Sequence, residues 1–281
     1  RSPSDLIIYH FSIGWDKGLS LLRKANCKKV VKYHNVTPPS FFDGINTDYG
    51  AVCRAGREQI HDIAKLACDL YLADSRYNGG ELIAVGVDHR ICRIVPPFHR
   101  IDSFSELKGD DVLVRKYKDG STNILSVGRI TPNKRQDRLI KTFAEYVHTY
   151  DPRARLLVVG KLDARLERYN SLLRTLVQTY NLSDNVIMTG GVSEEELKAY
   201  YRVSNLFMMA SEHEGFCVPL VEAMSMKIPI VAYASSAVTE TIGDAGLVWK
   251  EDSSQLLAES IRAIVTDVRL HTQLGELGYG R

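Results

Sequence analysis

Short apolar runs alternate along the chain with longer stretches in which apolar positions return at helical spacing, a pattern that predicts strands and helices in turn. Asp5 to Tyr9 reads as a strand, Lys17 to Lys24 as a helix and Lys29 to Tyr33 as a second strand. Across 50–68, Ile60, Ile63, Ala64 and Ala67 mark one helical face, and Leu70 to Ala73 returns as a strand. A helix from Tyr77 to Val85 and a strand from Arg90 to Val95 come next. Strands alternating with helices imply parallel βαβ units with right-handed crossovers. Pro96-Pro97 and the mixed-charge tract 98–120, with Gly109 and Gly120, then suit an interdomain connection in which 108–118 forms a surface segment. A second series is expected with strands at 123–127, 155–159, 186–189, 206–210, 229–233 and 246–249. It ends in a helix over 254–267, striped by Leu256, Leu257, Ile261, Ile264 and Val265. The expected fold is therefore α/β, with two doubly wound, Rossmann-like domains over 1–105 and 106–281.

Length and charge narrow the class. At 281 residues there is chain enough for two cores, and 36 basic against 34 acidic residues argue against a dedicated nucleic-acid binder. Cys27, Cys53, Cys68, Cys92 and Cys217 are scattered and form no C-x2-C pair, so neither a disulfide framework nor a zinc site is implied. No apolar run approaches the roughly 18 residues of a membrane span, no secretory leader opens the chain, and the expected location is cytoplasmic. Because the chain begins Arg1-Ser2-Pro3, a trimmed or incomplete polypeptide is expected.

The candidate chemistry gathers at strand ends. Leu206 to Ala210 is an apolar run of the kind a parallel sheet buries, Ser211 to Cys217 a glycine-containing loop, and Pro219 sits where a first helical turn tolerates proline. Glu214 in the loop and Glu222 about one turn into the helix can border one crevice, although two acids at this spacing are more often plainly solvated. After the strand 123–127, Arg129 and Lys134 flank Thr131-Pro132-Asn133, a turn that can fold both cations toward one anion. Gly128 and Gly160 end their strands and let backbone approach a ligand. His10 and His34 each close a strand, where a hydrogen-bonded edge histidine is the common case. Ser75 precedes a helix as an N-cap would. No G-x-G-x-x-G follows a strand, no G-x4-G-K-[ST] occurs, and no Asp-x-Asp metal motif appears.

EGF-x-x-P-x-x-EAM, residues 214–224, resembles the E-x7-E motif of the retaining glycosyltransferases of family four, which have the GT-B fold of two Rossmann-like domains facing a cleft. VGRITPNKRQDRLI resembles that family's G-R-x4-K element, except that Arg135 stands where glycine is usual. The resemblance implies that Arg129 and Lys134, with Gly215 and Phe216, hold the donor diphosphate. It also implies that Glu214 contacts sugar hydroxyls and Glu222 the ribose, with His34 of KYHNVTPP a catalytic-site histidine. By the same resemblance His10, Ser75, Gly160, Lys161 and Val192 are possible cleft residues, and Glu240 opens a later short helix. An amino-terminal domain of that family usually starts with further βα units, so this one is expected to be incomplete.

The activity that the resemblance implies is a retaining, metal-independent transfer of a hexose from a nucleotide diphosphate sugar to a saccharide or polyprenyl-diphosphate-linked acceptor. No cofactor is needed. The YHNVTPP and DSRYN segments are most like bacterial mannosyl- and rhamnosyltransferases of surface-polysaccharide assembly, which places GDP-mannose ahead of UDP-sugars. Lys28, Lys29 and Lys32 read as a solvated face, with contact to anionic headgroups at the inner membrane surface as the functional alternative. Other readings of the same motifs are a GT-B phosphorylase or epimerase and a non-catalytic sugar-nucleotide-binding module.

Overall fold

The computed structural model describes residues 4–281, which divide into two compact units. The first holds the chain through Phe98 together with the short piece His213–Phe216, and the second holds His99–Glu212 and Cys217–Arg281.

In the first unit β1 (Leu6–Phe11), α1 (Asp16–Lys24), β2 (Lys28–Tyr33), α2 (Thr47–Ala64), β3 (Leu70–Ala73), α3 (Arg76–Ala84) and β4 (Cys92–Ile94) succeed one another. The four strands are parallel and lie in chain order β1-β2-β3-β4. Right-handed crossovers that always step the same way place all three helices on one face. Burial agrees: Tyr9, Phe11, Val31, Tyr33, Tyr71 and Ala73 on that face pack with Leu19, Leu22, Ile60, Ile63 and Leu82 of the helices. The opposite face carries Leu6 and Ile8, both exposed, and at its carboxyl end His10 and Lys32, which are paired in register. The reversal of direction that makes a sheet doubly wound is not among the described strands of this unit.

The second unit opens with α4 (Ile101–Glu106) and α5 (Asp111–Tyr117). The tract expected to be a connection of little regularity thus contains two short helices. Asp110 caps α5 by accepting from the backbone N–H groups of Val112 and Leu113, and Tyr117 and Phe104 join the main core. Then come β5 (Asn123–Val127), α6 (Gln136–Thr149), β6 (Arg155–Val159), α7 (Glu167–Thr179), β7 (Val186–Gly190), α8 (Glu194–Val203), β8 (Leu206–Met209), α9 (Val218–Ser225), β9 (Ile230–Tyr233), α10 (Val238–Ile242), β10 (Gly246–Trp249), α11 (Ser254–Thr266) and α12 (Val268–Gly280). The sheet is parallel, with order β10-β9-β8-β5-β6-β7. β8 is apolar and buried throughout, and β5 is so at Ile124 and Leu125, because helices cover both faces. α8 starts on a capping box in which Ser193 and Glu196 satisfy each other's backbone N–H groups, worth about 1 kcal/mol.

The chain leaves β5 toward β6 and β7, then crosses back to lay β8 on the other side of β5. Neighbouring strands that send their connections opposite ways leave a crevice at their carboxyl ends, where open α/β sheets take ligands. The two loops bordering it come after β5 and β8, the segments that carry the predicted cations and acids.

Candidate functional site

The loop after β5 is built tightly. Ile130 N–H donates to the Lys161 carbonyl and Gly128 N–H to that of Val159, which ties the loop to the end of β6. Gln136 Nε2 holds the Arg129 carbonyl at 3.0 Å, and Thr131 Oγ1 lies 2.9 Å from Asn133 Oδ1. The outcome is an exposed Arg129 and a half-buried Lys134 on a backbone that is largely fixed. Arg135, in the glycine position of the family pattern, adopts the left-handed conformation at φ 53°, ψ 47°. A side chain there costs on the order of 1 kcal/mol, and ion pairs to Asp137 and Glu212 offset it. Burial pushes the Asp137 carboxyl up, but the Arg135 guanidinium outweighs it and leaves the group below the usual carboxylate range. The departure from glycine therefore leaves the loop its glycine-like geometry.

The loop after β8 is fastened to the same place. Glu212 N–H donates to the Asn133 carbonyl (2.9 Å), and Arg138 Nη2 reaches Glu212 (2.8 Å) and Asp252 (2.7 Å) while its guanidinium lies over the Tyr233 ring. Arg138 is buried, and its Nε and Nη1 find no hydrogen-bond partner among the described residues. This cluster was not legible as a site from sequence, since its members lie up to 114 positions apart.

Cys217, at φ 76°, caps α9, and Glu222 stands on its second turn. Burial raises the Glu222 carboxyl above its ordinary 4.5, with the Tyr201 hydroxyl (2.7 Å) and then His99 pulling the other way. Tyr201 is itself fully buried, so this contact fixes where Glu222 points. A carboxyl raised in the folded state favours folding below its unfolded value, and that contribution disappears as pH climbs through the folded value. Urea titrations from pH 3.5 to 7.5 should accordingly show Glu222→Gln gaining on the wild type as pH rises above about 4.5, with no gain at the acidic end.

The remaining predicted residues of this unit stand at the neighbouring strand ends. Gly160 sits so close to the β5 loop that a Cβ there would lie 1.8 Å from the Gly128 carbonyl oxygen. Lys161 is exposed at the end of β6, and Val192, half-buried after β7, packs against the core. Glu240 occupies the first turn of α10.

In the first unit the strand ends gather His10, His34 and Ser75. Ser75 is the N-cap of α3, accepting from Asn78 N–H at 3.2 Å. Asp74, one residue earlier, is buried and meets His34 Nδ1 at 3.0 Å and Lys32 Nζ at 2.6 Å. Lys32 also donates to the Val95 carbonyl. Lys32 is thus a buried partner of Asp74 and not part of a solvated basic face; of the three lysines Lys28 is exposed and Lys29 half-buried. The piece His213–Phe216 packs here too. His213 Nε2 lies 2.7 Å from Asn35 Oδ1, Asn35 donates to Asn78, and a Cβ on Gly215 would come within 3.0 Å of the His34 carbonyl. Glu214 is buried and Phe216 half-buried. The structure places Gly215 against the His34 carbonyl, and around them stand Asp74, Asn35, Asn78 and His213, which the sequence did not single out. Asp74 was passed over for its neighbour Ser75, although a carboxylate at a strand end was a visible signal.

Parallel α/β sheets, one of them reversed at a crevice edged by a cationic loop and an acid-bearing loop, define the GT-B class of glycosyltransferase folds. Residues 114–281, more than half of the chain, match the family described as Glycosyl transferases group 1, and the chain belongs to that family. Among curated relatives it is 27% identical over 237 residues to the mannosylfructose-phosphate synthase of Agrobacterium fabrum, covering 77% of this chain and 51% of that one. It is 26% identical over 176 residues to a GDP-mannose-dependent alpha-(1-6)-phosphatidylinositol monomannoside mannosyltransferase of Mycobacterium tuberculosis, covering 59% and 44%. The chain thus spans about half the length of the curated relatives it matches. Among solved structures, Anabaena Alr3699/HepE in complex with UDP and glucose superposes with a TM-score of 0.80 at 19% identity, over 98% of this chain and 72% of that one, a likeness of fold. No helix among the described residues is long and apolar enough to cross a membrane.

Proposed function

We propose that this protein is a retaining glycosyltransferase that moves a hexose from a nucleotide diphosphate sugar to a hydroxyl of a saccharide or lipid-linked saccharide. The observation that carries the reading is the Arg129–Lys134 loop, two cations on a braced backbone at the crevice of the second sheet. The leaving nucleoside diphosphate gains negative charge as the glycosidic bond breaks, and fixed cations placed where that charge develops lower the barrier without a metal ion. Glu222, oriented by Tyr201, suits the hydroxyls of a ribose, and Glu214 those of the sugar. The donor is assigned as GDP-mannose ahead of UDP-sugars, a choice supported by the relatives whose names specify GDP-mannose.

A donor screen tests the reading. Incubated with GDP-mannose, GDP-glucose, UDP-glucose and UDP-N-acetylglucosamine in turn, the protein should release nucleoside diphosphate fastest from GDP-mannose, and the freed or transferred sugar should keep its anomeric configuration by NMR. Release from UDP-glucose alone would replace the donor assignment, and release of sugar 1-phosphate together with nucleoside monophosphate would mean that the diphosphate bond is cut, which would overturn the transferase reading.

A further inference from the structure

The side chains at the carboxyl end of the first sheet form a chain with a direction. Asp74 is nine-tenths buried, its Oδ1 lies 2.6 Å from the Lys32 ammonium and its Oδ2 lies 3.0 Å from His34 Nδ1. A carboxylate accepts only, so in neutral His34 the ring proton belongs on Nδ1, which leaves Nε2 a lone pair. His10 Nδ1 lies 2.7 Å from that Nε2. One of the two nitrogens must carry the shared proton, and with His34 Nε2 an acceptor it is His10 Nδ1.

Ring geometry supports the bridge. The two imidazole planes are within 13° of parallel with centroids 5.0 Å apart. Rings stacked face to face with a 2.7 Å N···N contact would have closer centroids; a separation this large places them edge to edge, nearly coplanar, with the lone pair aimed along the N–H. Both rings are then held as Nδ1–H tautomers, and the outermost atom is His10 Nε2, on an exposed side chain with an available lone pair.

We propose that His10, His34 and Asp74 form a proton relay whose port is His10 Nε2 and whose charge sink is the His34–Asp74 pair. Resting on the transferase reading, the relay accepts the proton of the acceptor hydroxyl. On the face from which the diphosphate departs, a lone pair of that oxygen forms the new bond to the sugar carbon while the carbon–oxygen bond to the diphosphate breaks with its electron pair leaving on the diphosphate, so the anomeric configuration is kept. The O–H pair stays on the acceptor oxygen as its proton passes to His10 Nε2. The bridging proton moves from His10 Nδ1 to His34 Nε2. His34 ends as an imidazolium beside Asp74, with Lys32 the counter-charge on the far carboxylate oxygen. Return of the proton to water through His10 Nε2 resets the relay. His10 is the group that meets the hydroxyl; His34 and Asp74 are positioning residues that act through it.

Two readouts decide the proposal. Nitrogen NMR of protein labelled at the imidazoles reports the tautomers without any substrate. Both His10 and His34 should carry their proton on Nδ1, and Asp74→Asn, checked for folding by its thermal melt, should return His34 to a tautomer mixture. Two Nε2–H rings in the wild type would overturn the relay. The second readout is nucleoside diphosphate release from GDP-mannose or UDP-glucose, with water as acceptor. His10→Asn, a change on an exposed side chain, should lower kcat about 100-fold with KM for the donor within twofold; unchanged kcat would remove the proton-accepting role. A wild type that turns over no donor would sink the transferase reading, and the tautomers alone would then decide the relay.

Discussion

Arg129→Ala should lower the rate of nucleoside diphosphate release by 10²- to 10³-fold, on the order of 3–4 kcal/mol of lost transition-state stabilisation. The size reflects how firmly the structure holds this side chain's backbone. Its carbonyl is held by Gln136, the next residue donates to Lys161, and Asn123, Ile124 and Leu125 of the strand behind it are buried, so the backbone that carries the guanidinium needs little reorganisation as charge develops on the leaving group. The side chain is exposed and carries none of the core, so the thermal midpoint of the variant should stay within a few degrees of wild type. Arg129→Lys should recover part of the rate, since an ammonium keeps the charge and loses the bidentate geometry. A variant with wild-type turnover would place the diphosphate elsewhere.

Gly160→Ala should be among the most damaging small substitutions in the chain. The added methyl would sit 1.8 Å from the Gly128 carbonyl oxygen and 2.7 Å from its carbon, against backbone that cannot rotate away. The ends of β5 and β6 must separate, at a cost of about 3 kcal/mol. The hydrogen bonds from Gly128 to Val159 and from Ile130 to Lys161 lie on the same seam, so the loop bearing Arg129 moves with it. Chemical denaturation should show the loss of stability, and nucleotide binding should fall in the molecules that remain folded. Gly80→Ala is the control: nothing lies within 4 Å of its Cβ, it sits within α3, and the change should be neutral or stabilise by about 0.5–1 kcal/mol.

The second unit was close to legible from sequence because each buried parallel strand is a short apolar run bounded by turn residues. Leu206–Met209 and Ile230–Tyr233 fall within a residue of their expected bounds. The places of Arg129, Lys134 and Glu222 were legible for a related reason: strand–loop–helix connections put the two cations in the loop after β5 and Glu222 near the start of the helix after β8 whatever the detail of the loops. The short helices α4 and α5 were not, since each has few turns and their apolar positions, Phe104, Leu113, Val114 and Tyr117, are interleaved with charge. Lys32 shows the limit most plainly. Beside Lys28 and Lys29 it reads as one more surface cation, and only the pairing of β2 with β3 reveals that it meets Asp74, 42 positions later, in a buried ion pair. Losing either partner would leave a buried charge alone, a penalty of about 3–5 kcal/mol. The relay through His10 depends on the same long-range register, β1 against β2, which no local pattern encodes.

The central claim is that the loop after β5 grips the diphosphate of a nucleotide. Calorimetric titration of the protein with GDP, GMP, UDP and UMP tests it without depending on turnover. One diphosphate should bind at a single site, its monophosphate at least about tenfold more weakly, a difference of about 1.4 kcal/mol, and the double variant Arg129→Ala, Lys134→Ala should erase that preference. Equal affinity for the diphosphate and the monophosphate, or a preference that survives in the double variant, would contradict the account.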